Sequence, residues 1–253
     1  MSGPNYDLTS LWLSNIADVR DNPNSRKDFV ENWAERTGTS FEVAWHWFCT
    51  DDMAAAHFAK DPRRQNSHEQ IAGEWIKKIP GISNFKKLAS QGPEALYVSN
   101  GLPKPLDELA NNNTPKSIDF YWELILPSAN KFLTFYATHK HTFEDGGSQD
   151  NQLEDLKQFT FEASRLQKEM GHRFLSLADG PYYQKIRDGG ICHMDELEKM
   201  LINTKYARAM TCSELPNYMI ECIQDMVKGL PNADQDPIKT AIANLILELN
   251  LYV

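Results

Sequence analysis

Residues 117–140 carry the pattern that most limits what this chain can fold into. The run "SIDFYWELIL" alternates, with Ile118, Phe120, Trp122 and Leu124 on one face and Asp119, Tyr121 and Glu123 on the other. A period of two is that of a strand with one apolar side. "PSAN" supplies a turn, and "KFLTFYATHK" follows as a second strand. A hairpin of this kind needs other elements to cover its apolar face. They are readable downstream. A helix from about Leu153 puts Leu153, Leu156, Phe159, Ala163 and Leu166 on one side. "RFLSLADG" reads as a third strand, "DELEKMLINT" as a helix, "ARAMTC" as a fourth strand and "SELPNYMIECIQDM" as a helix capped by Ser213. The tail "PIKTAIANLILELNLYV" is helical in pattern. This order predicts an α/β (α+β) fold: a central mixed β-sheet flanked by helices.

The first hundred residues read as helices. "SRKDFVENWAERTG" and "SFEVAWHWFCTDDMAAAHFAK" place apolar residues at helical spacing, with Ser25 and Ser40 as caps. "NSHEQIAGEWIKKI" is a third helix, capped near Ser67 and stopped by Pro80-Gly81. "WAERTGTSFEVAWHWF" has the outline of a helix-turn-helix, which any helical bundle can share. Residues 99–116, rich in Asn, Pro and Gly, form a loop. The expected division is a helical region over 1–98 and the sheet-bearing part over 99–253, packed as one compact unit.

No apolar run approaches the roughly 20 residues of a membrane span, and the start has no basic-then-apolar leader pattern. Four scattered cysteines without a CxxC pair suit reduced thiols in a cytoplasmic protein. The net charge of −9 argues against nonspecific coating of nucleic acid. It leaves room for a locally basic cleft: Lys60 to Lys87 holds seven bases against three acids, whereas Asp195 onward holds nine acids against five bases.

In the second strand Tyr136, Thr138 and Lys140 share a face, and hairpin pairing brings Asp119 beside Lys140. Glu154 and Asp155 are expected in the first turn of the next helix, where the macrodipole favours acids, with Gly146-Gly147 bending the chain back toward the strand ends. Carboxylates around an ammonium group are the equipment of phosphodiester hydrolysis. The acids hold Mg²⁺, which activates water, and the lysine orients that water and offsets phosphate charge.

"KSIDFYW", "YATHK", "GGSQDNQLEDLKQF" and "FLSLADGPYY" together resemble the core of type II restriction endonucleases of the PD-(D/E)xK nuclease superfamily, over roughly residues 65–218. The resemblance implies a restriction-endonuclease-like core in 99–253 and a Mg²⁺ site with Asp119 as the first acid and Lys140 as the lysine. The acid two before the lysine is replaced by Thr138. In a branch of the family that acid moves onto the following helix, a little over a dozen residues downstream. Glu154 stands at that spacing, Asp155 is one register off and Asp150 is an earlier alternative. An acid from an N-terminal helix often joins the site, here Glu69 or Glu74. The resemblance further implies cleavage of double-stranded DNA at a short palindromic site, a homodimer, and a companion methyltransferase. Arg63, Arg64 and Lys116, within or near the basic stretch, are expected to meet DNA. Gln149, Asn151 and Gln152 supply amides for base edges or, equally, for helix capping.

A second class of function is an acidic, non-catalytic interaction protein, an inhibitor or immunity protein that shields a basic partner; the net charge motivates it. Glu169-x-x-His172 matches one half of a di-iron helical motif, and His139-x-His141 puts two imidazoles on the strand face opposite Lys140.

Overall fold

The computed structural model describes residues 3–59, 67–109, 116–126, 131–143, 147–165, 171–187, 189–228 and 236–252. The expected "PSAN" turn, Gly146 and Leu166 fall outside them. The chain divides into two units, residues 6–70 and residues 1–5 with 71–253. The division lies well before residue 98, because the chain from Ile71 onward already builds the sheet unit.

The smaller unit holds α1 (Thr9–Asp21), α2 (Lys27–Thr37), α3 (Phe41–Thr50), α4 (Asp52–Phe58) and the first turn of α5 (Ser67–Ile76). Val19, Val30, Ala34, Ala44, Phe48 and Phe58 form its core, with Trp33 edge-on to Phe58. The Thr-Gly turn is a left-handed C-cap, Gly38 at φ 71°. Ser40 caps α3 through the Val43 N–H. Ser25 does not cap α2; it lies in a 3₁₀ turn, Pro23–Arg26, that leads into the helix. The apolar run after Ser40 forms two helices, because Asp51 turns to extended backbone and caps α4 through the Ala54 N–H at 2.9 Å. Asp51→Ala is expected to lower the stability of this unit by about 1 kcal/mol, read as a reduced urea midpoint at unchanged m.

The larger unit is built on a five-stranded sheet of β1 (Ile82–Lys87), β4 (Phe120–Leu126), β5 (Lys131–His141), β6 (His172–Asp179) and β7 (Ala207–Met210), in that spatial order. β4 is antiparallel to β1 and β5, while β5, β6 and β7 run parallel. The mixed sheet flanked by helices is as expected. Two elements were not. Residues 82–87 are an edge strand rather than part of a helical region. Across the boundary between the expected helical region and the expected loop, β2 (Leu96–Ser99) and β3 (Leu102–Pro105) form a hairpin around Asn100 and Gly101, both at positive φ.

One face of the sheet carries α6 (Gly147–Ser164), whose Phe159 and Ala163 pack on Tyr136 and Phe174, and α8 (His193–Lys199), whose Leu197 joins Leu153 and Leu156. α6 therefore starts earlier than its apolar stripe. Asp150 is the acid of its first turn, and Glu154 and Asp155 lie beyond it. Ile118 belongs to this face too, packed with Val98 and Phe159, because regular pairing of β4 begins only at Phe120. The opposite face stacks Trp122 on Phe135, with ring centroids 5.3 Å apart and planes within 2°. It is covered by α5 at Gly73, by α9 (Leu215–Lys228) through Tyr218 and by α10 (Asp236–Tyr252) through Leu245. A Thr211–Glu214 capping box, not Ser213, starts the short 3₁₀ turn that feeds α9. Among the described residues no helix is long and apolar enough to cross a membrane.

Candidate active site

The hairpin register places Phe120 opposite Ala137, so Asp119 meets the end of β5. Its N–H donates to the Ala137 carbonyl at 2.8 Å. Its carboxylate Oδ2 accepts from Thr138 Oγ1 at 2.9 Å and from the His139 N–H at 2.8 Å. Only 5% of Asp119 is exposed. A buried carboxylate is tolerable only when hydrogen-bonded, and two donors from β5 meet that need. Lys140 is the next residue along and is half-buried. Thr138, at the position where an acid was absent, thus braces Asp119.

α6 crosses the same face. Asp155 pairs with Lys116, which lies three residues before Asp119. Gln152 Oε1 accepts from Thr142 Oγ1 at 2.8 Å, which leaves that hydroxyl oxygen to accept from the Tyr183 O–H at 3.3 Å. Burial, aided by the charges of Tyr182, Asp179 and Asp155, pushes the Tyr183 phenol far above its ordinary value, so it stays protonated. α6 thus meets this edge of the sheet at two points, Asp155 through Lys116 and Gln152 through Thr142 just past β5.

Glu154 takes the other flank of α6. It accepts from Lys157 at 3.0 Å, and Lys157 also reaches Glu196 at 3.4 Å. These groups line a cleft of about 710 Å³ with Asp150, Tyr182, Lys185, Arg187 and His193. His193 stacks on Tyr182 at 4.5 Å, and Arg187 joins Glu196 at 3.2 Å. Burial works against the Lys157 ammonium, but hydrogen bonds and charge from Glu154 and Glu196 outweigh it and raise its pKa. Glu196, likewise opposed by burial, is held below its ordinary value by Lys157 and His193. α7 (Pro181–Gln184) sits between the cleft and the end of β5.

The remaining candidates are dispersed. Glu69 lies in the first turn of α5, within the smaller unit. Glu74 is exposed, 4.0 Å from Lys77. Asn151 is exposed on α6. Arg63, Arg64 and the Gln149 side chain lie outside the described residues. His172 opens a strand rather than continuing a helix, and Glu169 is outside the described residues, so the helical di-iron spacing does not hold at His172. His139 turns its ring to the opposite face, Nε2 lying 3.1 Å from Asp179 Oδ2.

No family model, no curated protein and no solved structure matches this chain. What the site can do has to be argued from its own groups. Sequence reasoning missed Lys157, Lys185, Arg187 and Glu196. For Lys185 and Arg187 the signal was the polar "YYQKIRDGG" soon after an apolar strand, since crevices form at the carboxyl ends of parallel strands. Spacing favours Glu154 over Asp155, and the structure pairs the first with Lys157 and the second with Lys116.

Proposed function

We propose that this chain is a Mg²⁺-dependent, site-specific endonuclease acting on double-stranded DNA. The observation that carries the reading is the buried Asp119 carboxylate, bonded to the two residues that precede Lys140. The sheet order, with β4 antiparallel to its neighbours and α6 returning over β5, agrees with the restriction-type core that the sequence resembles. Asp119 and Asp155 are hard oxygen donors of the kind Mg²⁺ prefers, and they are the residues that would hold it. Bound there, Mg²⁺ would lower the pKa of a water and neutralise charge on phosphate oxygens. Lys140 orients that water and offsets the phosphate charge. Lys116 holds the Asp155 carboxylate in an ion pair. Lys157, Lys185 and Arg187, on the far flank of α6, are placed to meet the sugar-phosphate chain. The reading carries with it a homodimer that cuts both strands of a palindrome, and a methyltransferase that shields host DNA.

The exposed Phe29, Val43, Trp47 and Met53 of the smaller unit favour a second reading, in which that unit binds a protein. The test is digestion of an unmethylated plasmid panel with and without Mg²⁺, followed by run-off sequencing of the ends. Discrete Mg²⁺-dependent fragments are expected. Asp155→Asn should slow cutting by about 10²-fold or more, as loss of one electrostatic contact at a reacting phosphate does. Glu154→Gln, on the other flank, should cost little. Intact plasmid throughout the panel would leave the protein-binding reading standing and overturn the nuclease.

A further inference from the structure

Beneath the proposed catalytic edge lies a second cluster of donors. Among the described residues, His139, Asp179 and Cys212 bring a ring nitrogen, a carboxylate oxygen and a thiol sulfur within 4.8 Å of one another. All three residues are buried. His139 is near the end of β5, Asp179 ends β6, and Cys212 stands two residues past β7. We propose that His139, Asp179 and Cys212 form a structural Zn²⁺ site that ties together the ends of the three parallel strands.

The donor set suits Zn²⁺, which takes nitrogen, oxygen and thiolate sulfur in tetrahedral geometry. With metal–donor lengths of about 2.0–2.3 Å, tetrahedral donors sit about 3.3–3.6 Å apart. His139 Nε2 and Asp179 Oδ2, at 3.1 Å, already have nearly that spacing. The Cys212 sulfur lies within 4.8 Å of both. The carboxylate is also braced as metal ligands usually are: its other oxygen, Oδ1, accepts the Cys212 N–H at 2.9 Å. One carboxylate and one thiolate neutralise the ion, which a buried site requires. On binding, the Cys212 thiol loses its proton to solvent. One proton is thus released per ion. Thiolate ligation favours Zn²⁺ or Co²⁺ over Mg²⁺, so this site and the proposed catalytic one select different metals. The inference does not depend on the nuclease reading.

The test uses the full chain. Protein dialysed without chelator is expected to retain about one equivalent of zinc by elemental analysis. Chelator-stripped protein titrated with Co²⁺ should show a thiolate-to-cobalt charge-transfer band and tetrahedral d–d bands, and Zn²⁺ should raise its Tm. Cys212→Ala should lose the band, and Cys49→Ala should keep it. Wild-type protein without zinc and without the band, or a band that survives Cys212→Ala, would overturn the proposal.

Discussion

Lys140→Ala is expected to reduce Mg²⁺-dependent cutting of plasmid DNA by about 10²- to 10⁴-fold, the range seen when a positioned catalytic group is removed. The side chain lies at a strand end and is half-buried, outside the apolar clusters of the core. Its removal should therefore change unfolding free energy by only about 0.5 kcal/mol. That separation makes the prediction decisive. Loss of cutting with an unchanged denaturation curve and unchanged DNA retention in a gel-shift assay assigns Lys140 to chemistry. Equal cutting by the variant would remove the lysine from the mechanism. Lys140→Arg keeps charge but is longer and planar, so it should retain DNA as the wild type does while recovering little of the cutting.

The second large effect concerns stability. Trp122 has no exposed surface, sits at the centre of the hairpin and lies flat against Phe135. Trp122→Ala is expected to cost about 3–5 kcal/mol, a large share of the roughly 5–15 kcal/mol that holds a domain together. Chemical denaturation followed by far-ultraviolet circular dichroism measures it. The indole Nε1 is buried without a hydrogen-bond partner among the described residues. Trp122→Phe gives up volume but also removes that unsatisfied donor, so it should cost far less than alanine. A similar loss for both would mean that cavity volume alone sets the penalty.

What could be read from the chain follows from the range of each interaction. β4 and β5 were legible because their pairing is local and one face is packed, which leaves a strict period of two. The apolar stripe of α6 was legible, but its start was not, since "GGSQDNQ" has no apolar periodicity and its helical turns are polar. β1 escaped because its partner β4 lies some forty residues away, and because a register shift between Ser83 and Lys86 breaks its alternation. The β2–β3 hairpin carried the strongest short signal available, Asn-Gly at positive φ, hidden in a segment whose Pro and Asn content suggests a loop. At the site, Asp119 and the end of β5 share the local hairpin, so a meeting of Asp119 with the Thr138–Lys140 segment was legible, whereas its actual partners, Thr138 and the His139 N–H, were not. Choosing between Glu154 and Asp155 requires knowing where α6 begins, because one residue turns a helical side chain by about 100°. The Asp179 link to His139 and to the Cys212 N–H joins three strand ends across crossover connections, and no short-range pattern encodes it.

The borders of the sheet bear on how two copies would meet. On one side β1 is distorted, with Asn84 at φ 50° and Lys86 and Lys87 exposed along it. On the other, β7 offers only four residues. Neither margin presents the long, flat row of unpaired amides that lets a neighbouring chain add on as another strand. Self-association by sheet continuation is thereby discouraged.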